Sequence, residues 1–98
     1  MTARPASVFL RDATRTALRM KHPDAGERFL AAVDGTAKQL LAQPELGRCR
    51  PEVKSGLRSW PVEGFGNWII FYRLEKESLR LVRLLHGARD LPRALRRD

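Results

Sequence analysis

The chain has 98 residues, enough for one domain, here taken as residues 1–98, and too few for a second independent core. Its hydrophobic fraction of 43% excludes wholesale disorder. Charge is the outlier: 19 Lys+Arg against 11 Asp+Glu leave a net +8, which points to nucleic acid or an acidic protein as partner.

Residues 1 to 6 are short, polar and interrupted by Pro5, and read as frayed or as an incomplete edge element. From Ser7 the spacing turns helical. Leu10, Ala13, Ala17 and Met20 form one stripe, with Arg11, Asp12, Arg15, Arg19 and Lys21 on the other side, predicting a helix from about Ser7 to Lys21. Val8 to Leu10 also suits a short strand feeding that helix. His22-Pro23 breaks it, because proline disfavours helical backbone in the residue before it and is itself suited to open a helix. A second helix is expected from about Asp24 to Gln43, with acidic Asp24 and Glu27 in its first turn. Its stripe is Phe29 or Leu30, Val33, Ala37, Leu40 and Leu41. Gly35 weakens this helix and suggests close approach to the first. The short connection makes the helices an antiparallel hairpin.

Pro44 to Gly56 reads as a loop. The first long strand is Leu57 to Val62, with Arg58, Trp60 and Val62 on one side and Leu57 and Ser59 on the other. Pro61 has no N–H and implies an edge or a bulge. A turn at Glu63 to Gly66 leads to a strand from Asn67 to Leu74. Its continuous apolar run implies burial on both faces, hence a central position. The last strand runs from Leu79 to His86. The fold class is therefore α+β: an N-terminal antiparallel helical hairpin on a three-stranded antiparallel sheet, four-stranded if the N-terminus contributes.

The chain carries few signs of enzymatic chemistry. There is no G-x-S-x-G elbow and no phosphate-binding G-x-x-x-x-G-K-[ST] loop. Cys49 is the single cysteine, and His22 and His86 lie in separate elements without metal-ligand spacing. No cofactor is expected. No window suits a signal peptide or a membrane span, so a cytoplasmic location without membrane contact is expected. What remains is a sheet with a basic face, its cations mostly arginine, whose fork suits carboxylate and phosphate groups. Arg58, Arg83 and His86 are the types a metal-free ribonuclease uses, arginine for the phosphorane and histidine for proton transfer. Equally, His86 ends a strand with its ring bonded to neighbouring backbone. Trp60, Phe65 and Trp68 suit either packing or base stacking.

The stretch LRSWPVEGFGNWIIFYRLEKESLRLVRLLHGARDLP, from Leu57 to Pro92, follows HPDAGERF at the helix junction and LAQPELGR at the exit of the second helix. In that order the segments resemble the ParE branch of the RelE/ParE superfamily of bacterial type II toxins, over about Pro23 to Leu91. Members usually begin with a strand before the first helix, so residues 1 to 6 or Val8 to Leu10 would supply it. The resemblance implies a growth-arresting toxin, bound in a hetero-oligomer by a cognate acidic, ParD-like antitoxin. It implies a stoichiometric poison of DNA gyrase with no catalytic residues, whose target-binding set is Arg58, Trp60, Arg73, Arg83, His86 and Arg89. The enzymatic alternative is a RelE-like endoribonuclease acting on messenger RNA at the ribosome through Arg58, Arg83 and His86. A third reading is an inactive relic that only binds antitoxin.

Overall fold

A computed structural model describes residues 1–87 of the chain. The elements are β1 (Thr2–Pro5), α1 (Ser7–Leu18), α2 (Pro23–Ala42), β2 (Arg48–Cys49), β3 (Leu57–Val62), β4 (Phe65–Leu74) and β5 (Ser78–His86). The sheet has five strands in the order β1-β5-β4-β3-β2. The antiparallel β3-β4-β5 meander and the helical hairpin stand as the periodicity implies. Two edges are added. β1 pairs in parallel with β5, making the sheet mixed, and β2 adds a two-residue antiparallel edge on β3.

β4 is central, and it buries residues on both of its faces. On the helix side, Ile70 and Tyr72 join Phe9, Ala13, Phe29, Val33, Ala37, Leu40, Val62, Leu79, Leu81 and Leu84 in the main core. On the opposite side, Phe71 packs with Leu57 and Leu85 under Val53, Ile69 and Val82. The β3-β4 turn needs only Glu63 and Gly64, so β4 begins at Phe65, two residues earlier than expected. Gly64 makes this possible at φ +81°, a conformation that a side chain would strain.

α1 differs from expectation in rotation, and the two helices in their closest contact. In α1 the buried residues are Phe9, Ala13 and Thr16, whereas Leu10 is 52% exposed. β1 enters α1 with only Ala6 between them, and that junction turns Phe9 toward the sheet. Thr16 tolerates burial because its hydroxyl donates to the Asp12 carbonyl at 2.9 Å. In α2 it is Phe29, not Leu30, that enters the core. The close helix approach is at Gly26, where a Cβ would lie 2.7 Å from the Ala17 carbonyl oxygen; Gly35 has nothing within 4 Å. α1 stops at Leu18 and α2 starts at Pro23, with His22 extended at φ −94°, ψ 140°.

Candidate functional site

Strand alternation and register divide the site residues between the two sides of the sheet. Leu57 is opposite Arg73, Ser59 opposite Phe71, and Phe71 opposite Arg83. These residues share the face away from the helices, with Arg80 opposite Arg73 and Arg4 opposite Arg80. Arg58, Trp60 and His86 belong to the helix-covered face, through their registers with Tyr72, Ile70 and Trp68. The expectation of one surface joining Arg58, Trp60, Arg73, Arg83 and His86 is therefore not met. The pleat turns alternate side chains to opposite sides, and the set straddles it. Arg89 lies outside the described residues.

The helix-side members are engaged locally. Arg58 Nη1 donates to the Gly47 carbonyl at 2.8 Å and the Glu45 carbonyl at 3.2 Å, tying down the chain that leaves α2. Beside it, the Gly47 N–H donates to Tyr72 Oη and the Tyr72 hydroxyl donates to the Pro44 carbonyl, each at 2.8 Å. Burial raises the Tyr72 phenol above its ordinary 10.0, against the smaller opposing effects of the Gly47 hydrogen bond and of Arg58. Trp60 packs against the main core. His86 meets Trp68 edge-on with ring centroids 5.1 Å apart, and Trp68 meets Phe29 in the same manner at 5.8 Å. The register positions of Arg58 and His86 lie four positions apart along β4, roughly 13 Å along the strand.

Arg83 reaches the open face through a bulge. The register shifts between Phe71 and Tyr72, so that Leu81 and Arg83 pair with adjacent residues and Val82 is extra. A regular strand would put Arg80 and Arg83 on opposite faces, being an odd number of residues apart; the bulge brings them to one side. Asp12 completes it. Its Oδ2 accepts from Arg83 Nε at 2.8 Å and from the Leu84 N–H at 3.0 Å, and its Oδ1 accepts from Arg83 Nη2 at 3.2 Å. The carboxylate thus satisfies a displaced backbone donor and orients the guanidinium.

Between Arg73 and Arg83 lies a groove of about 220 Å³, lined by Val8, Val53, Leu57, Phe71 and Val82 together with Lys54 and the two arginines. Arg73 Nε is buried there without a hydrogen-bond partner, alone in this among the described residues. A buried donor in that state costs on the order of 1–3 kcal/mol, which a ligand's acceptor would recover. Among the described residues no cluster of histidine, cysteine or carboxylate groups suits a metal ion, and Cys49 is exposed on β2. No helix among them is long and apolar enough to cross a membrane.

Arg4, Lys54 and Asp12 are not singled out by the sequence, and Arg80 is legible there only as one of the arginines of a basic sheet, without a place in the site. Alternation within LRLVRLL hints at Arg80, but the parallel pairing that brings Arg4 beside it and the bulge that admits Asp12 have no local signature.

Residues 4–91 match the family model described as the ParE toxin of the type II toxin–antitoxin system parDE. Over 62 residues the chain is 34% identical to Toxin ParE3 of Caulobacter vibrioides, a match covering 63% of this chain and 59% of that relative. Among solved structures, the chromosomal ParDE system from P. aeruginosa aligns with TM-score 0.62 at 17% identity, over 88% of this chain and 95% of that one. The E. coli DinJ-YafQ complex aligns with TM-score 0.55 at 21% identity, over 88% and 92%. The structural likenesses establish the fold, and the model spanning most of the sequence establishes the kinship: the chain belongs to the ParE toxin family of type II toxin–antitoxin systems.

Proposed function

We propose that this chain arrests growth as a stoichiometric poison of DNA gyrase and is neutralised in the cytoplasm by a cognate acidic antitoxin. The observation that carries the choice of a non-catalytic toxin is the division of Arg58, Arg83 and His86 by the sheet. A ribonuclease needs its proton-transfer group and its phosphate-stabilising cation within reach of one phosphodiester. Here His86 and Arg58 lie on the helix side at separated register positions, and Arg83 lies on the other face. Arg73 and Arg83 are the target-binding residues of choice, flanking an apolar groove that can hold a side-chain anchor from a partner. The net +8 speeds encounter with an acidic segment.

The test is induction in cells, alongside purified gyrase with plasmid DNA. Wild type is expected to provoke DNA-damage signalling with translation intact, and to accumulate gyrase-cleaved plasmid in vitro. His86→Ala is expected to arrest growth as wild type does. Rapid transcript cleavage that disappears in His86→Ala would instead select the ribonuclease reading. No growth arrest from a folded wild-type chain would select the antitoxin-binding relic.

A further inference from the structure

The open face carries an arrangement that neither the groove nor the ion pairs account for. Arg4 of β1, Arg80 of β5 and Arg73 of β4 are directly opposite one another on three neighbouring strands. At about 4.8 Å between strands, the row spans roughly 10 Å. Like charges placed directly across a strand pair oppose folding, so the row works against the sheet that bears it. No carboxylate among the described residues neutralises it. The ion pairs there are Lys38 with Asp34, Arg50 with Glu52 and Arg83 with Asp12. Glu75, in the adjoining turn, accepts from the Ser78 hydroxyl at 3.3 Å, and neither it nor Glu77 pairs with the row.

We propose that Arg4, Arg80 and Arg73 form a phosphate-binding row that seats the backbone of a DNA duplex across the open face of the sheet. The choice of DNA over RNA rests on the gyrase reading; the phosphate chemistry does not. An acidic peptide is the rival ligand, and its place would be the groove, where Leu57, Phe71 and Val82 can receive an apolar anchor. That groove reaches the row only at Arg73. Arg4 and Arg80 are not among its lining residues, and on β1 the other residue on their face is the polar Thr2. A peptide gains little from bare charge without an anchor. A duplex backbone presents successive phosphates and asks only for cations on an accessible surface.

The experiment is fluorescence anisotropy of the purified chain on a duplex of about 20 base pairs, titrated between about 50 and about 200 mM salt. Three proteins are compared: wild type, the triple variant R4Q/R73Q/R80Q, and a control of equal net charge, R11Q/R15Q/R19Q, altered on α1 and at the residue that follows it. Circular dichroism checks that each is folded. If the triple variant fails to fold, R4Q/R80Q takes its place, with R11Q/R15Q as its control of equal net charge. Wild type is expected to bind, with affinity falling as salt rises. The row variant is expected to lose about 2 to 3 from the slope of log K against log[salt], one counterion for each lost contact, while the control keeps most of it. Equal losses in both variants would reduce the effect to net charge and overturn the proposal, as would absence of binding at the lowest salt. A poly-glutamate peptide that distinguishes the row variant from the control, when DNA does not, would transfer the row to a protein partner and overturn it too. An RNA duplex run in parallel is expected to bind no more tightly than DNA, and a clear preference for RNA would overturn the choice of DNA. Gyrase cleavage by wild type is scored separately, so failure of the gyrase reading is distinguishable from failure of the row.

Discussion

Tyr72 and Asp12 show how single polar side chains hold this fold at points where backbone groups would otherwise lack partners. Tyr72 Oη accepts from the Gly47 N–H and donates to the Pro44 carbonyl inside the core. Tyr72→Phe removes the shared partner of both, at a cost of about 1–3 kcal/mol. At about 4–8 °C per kcal/mol, a thermal melt resolves the loss. The same phenol sets an alkaline limit. Its pKa is raised in the folded chain, so above 10.0 an unfolded chain sheds the proton that the folded one retains. That difference favours unfolding: stability is unaffected by this group below 10.0 and declines as pH rises toward the folded value. The decline is expected to be shallower in Tyr72→Phe than in wild type, measured as urea midpoints on either side of pH 10.0. Asp12 is the second case. Asp12→Ala leaves the Leu84 N–H and the Arg83 guanidinium without this acceptor, and is expected to cost about 2 kcal/mol. Asp12→Asn retains one acceptor and is expected to fall between Asp12→Ala and wild type in the same melts.

At the scale of elements, two glycines of α2 make opposite predictions. Gly26 sits where α1 crosses closest, and an added methyl would meet the Ala17 carbonyl, a backbone atom that cannot swing aside. Gly26→Ala is expected to lower the melting temperature despite the better helix propensity of alanine. Gly35 faces open space, so Gly35→Ala is expected to raise stability by about 0.5–1 kcal/mol. If both raise it, the hairpin is packed more loosely at Gly26 than a 2.7 Å approach requires. Sequence spacing alone points to Gly35 for the close approach. It located the helices and the β3-β4-β5 meander, since those follow from period and turn residues. It did not resolve rotation: Phe9 and Leu10 are adjacent apolar residues, and only the β1 junction decides that Phe9 goes inward. Nor did it reveal the bulge at Val82, because one extra residue in an apolar strand leaves no mark on composition.

At the scale of the whole molecule, the uneven cover of the sheet matters most. One side is closed by α1 and α2 over a twelve-residue core, and on the other the buried cluster among the described residues is Leu57, Phe71 and Leu85, beside an arginine-lined groove. A partner laid on that second side would bind only the folded chain, and so would raise its stability. At a partner concentration about 100-fold above Kd the gain is about 2.7 kcal/mol, visible as a higher Tm for the toxin–antitoxin complex than for the toxin alone. An unchanged Tm at saturation would place the antitoxin contact elsewhere or nowhere. Association is also expected to slow as salt rises, since the net +8 steers an acidic partner over distances that salt screens.

The helical hairpin followed by the β3-β4-β5 meander, the central place of β4 and the basic character of the molecule were settled by the sequence itself, because periodicity, turn residues and charge are local properties. Which arginines stand together was settled only by tertiary structure. A strand displays alternate residues on opposite sides, so the partition of Arg58 from Arg73 follows from pairing register, and the alignment of Arg4, Arg80 and Arg73 from a parallel contact between residues far apart in the chain.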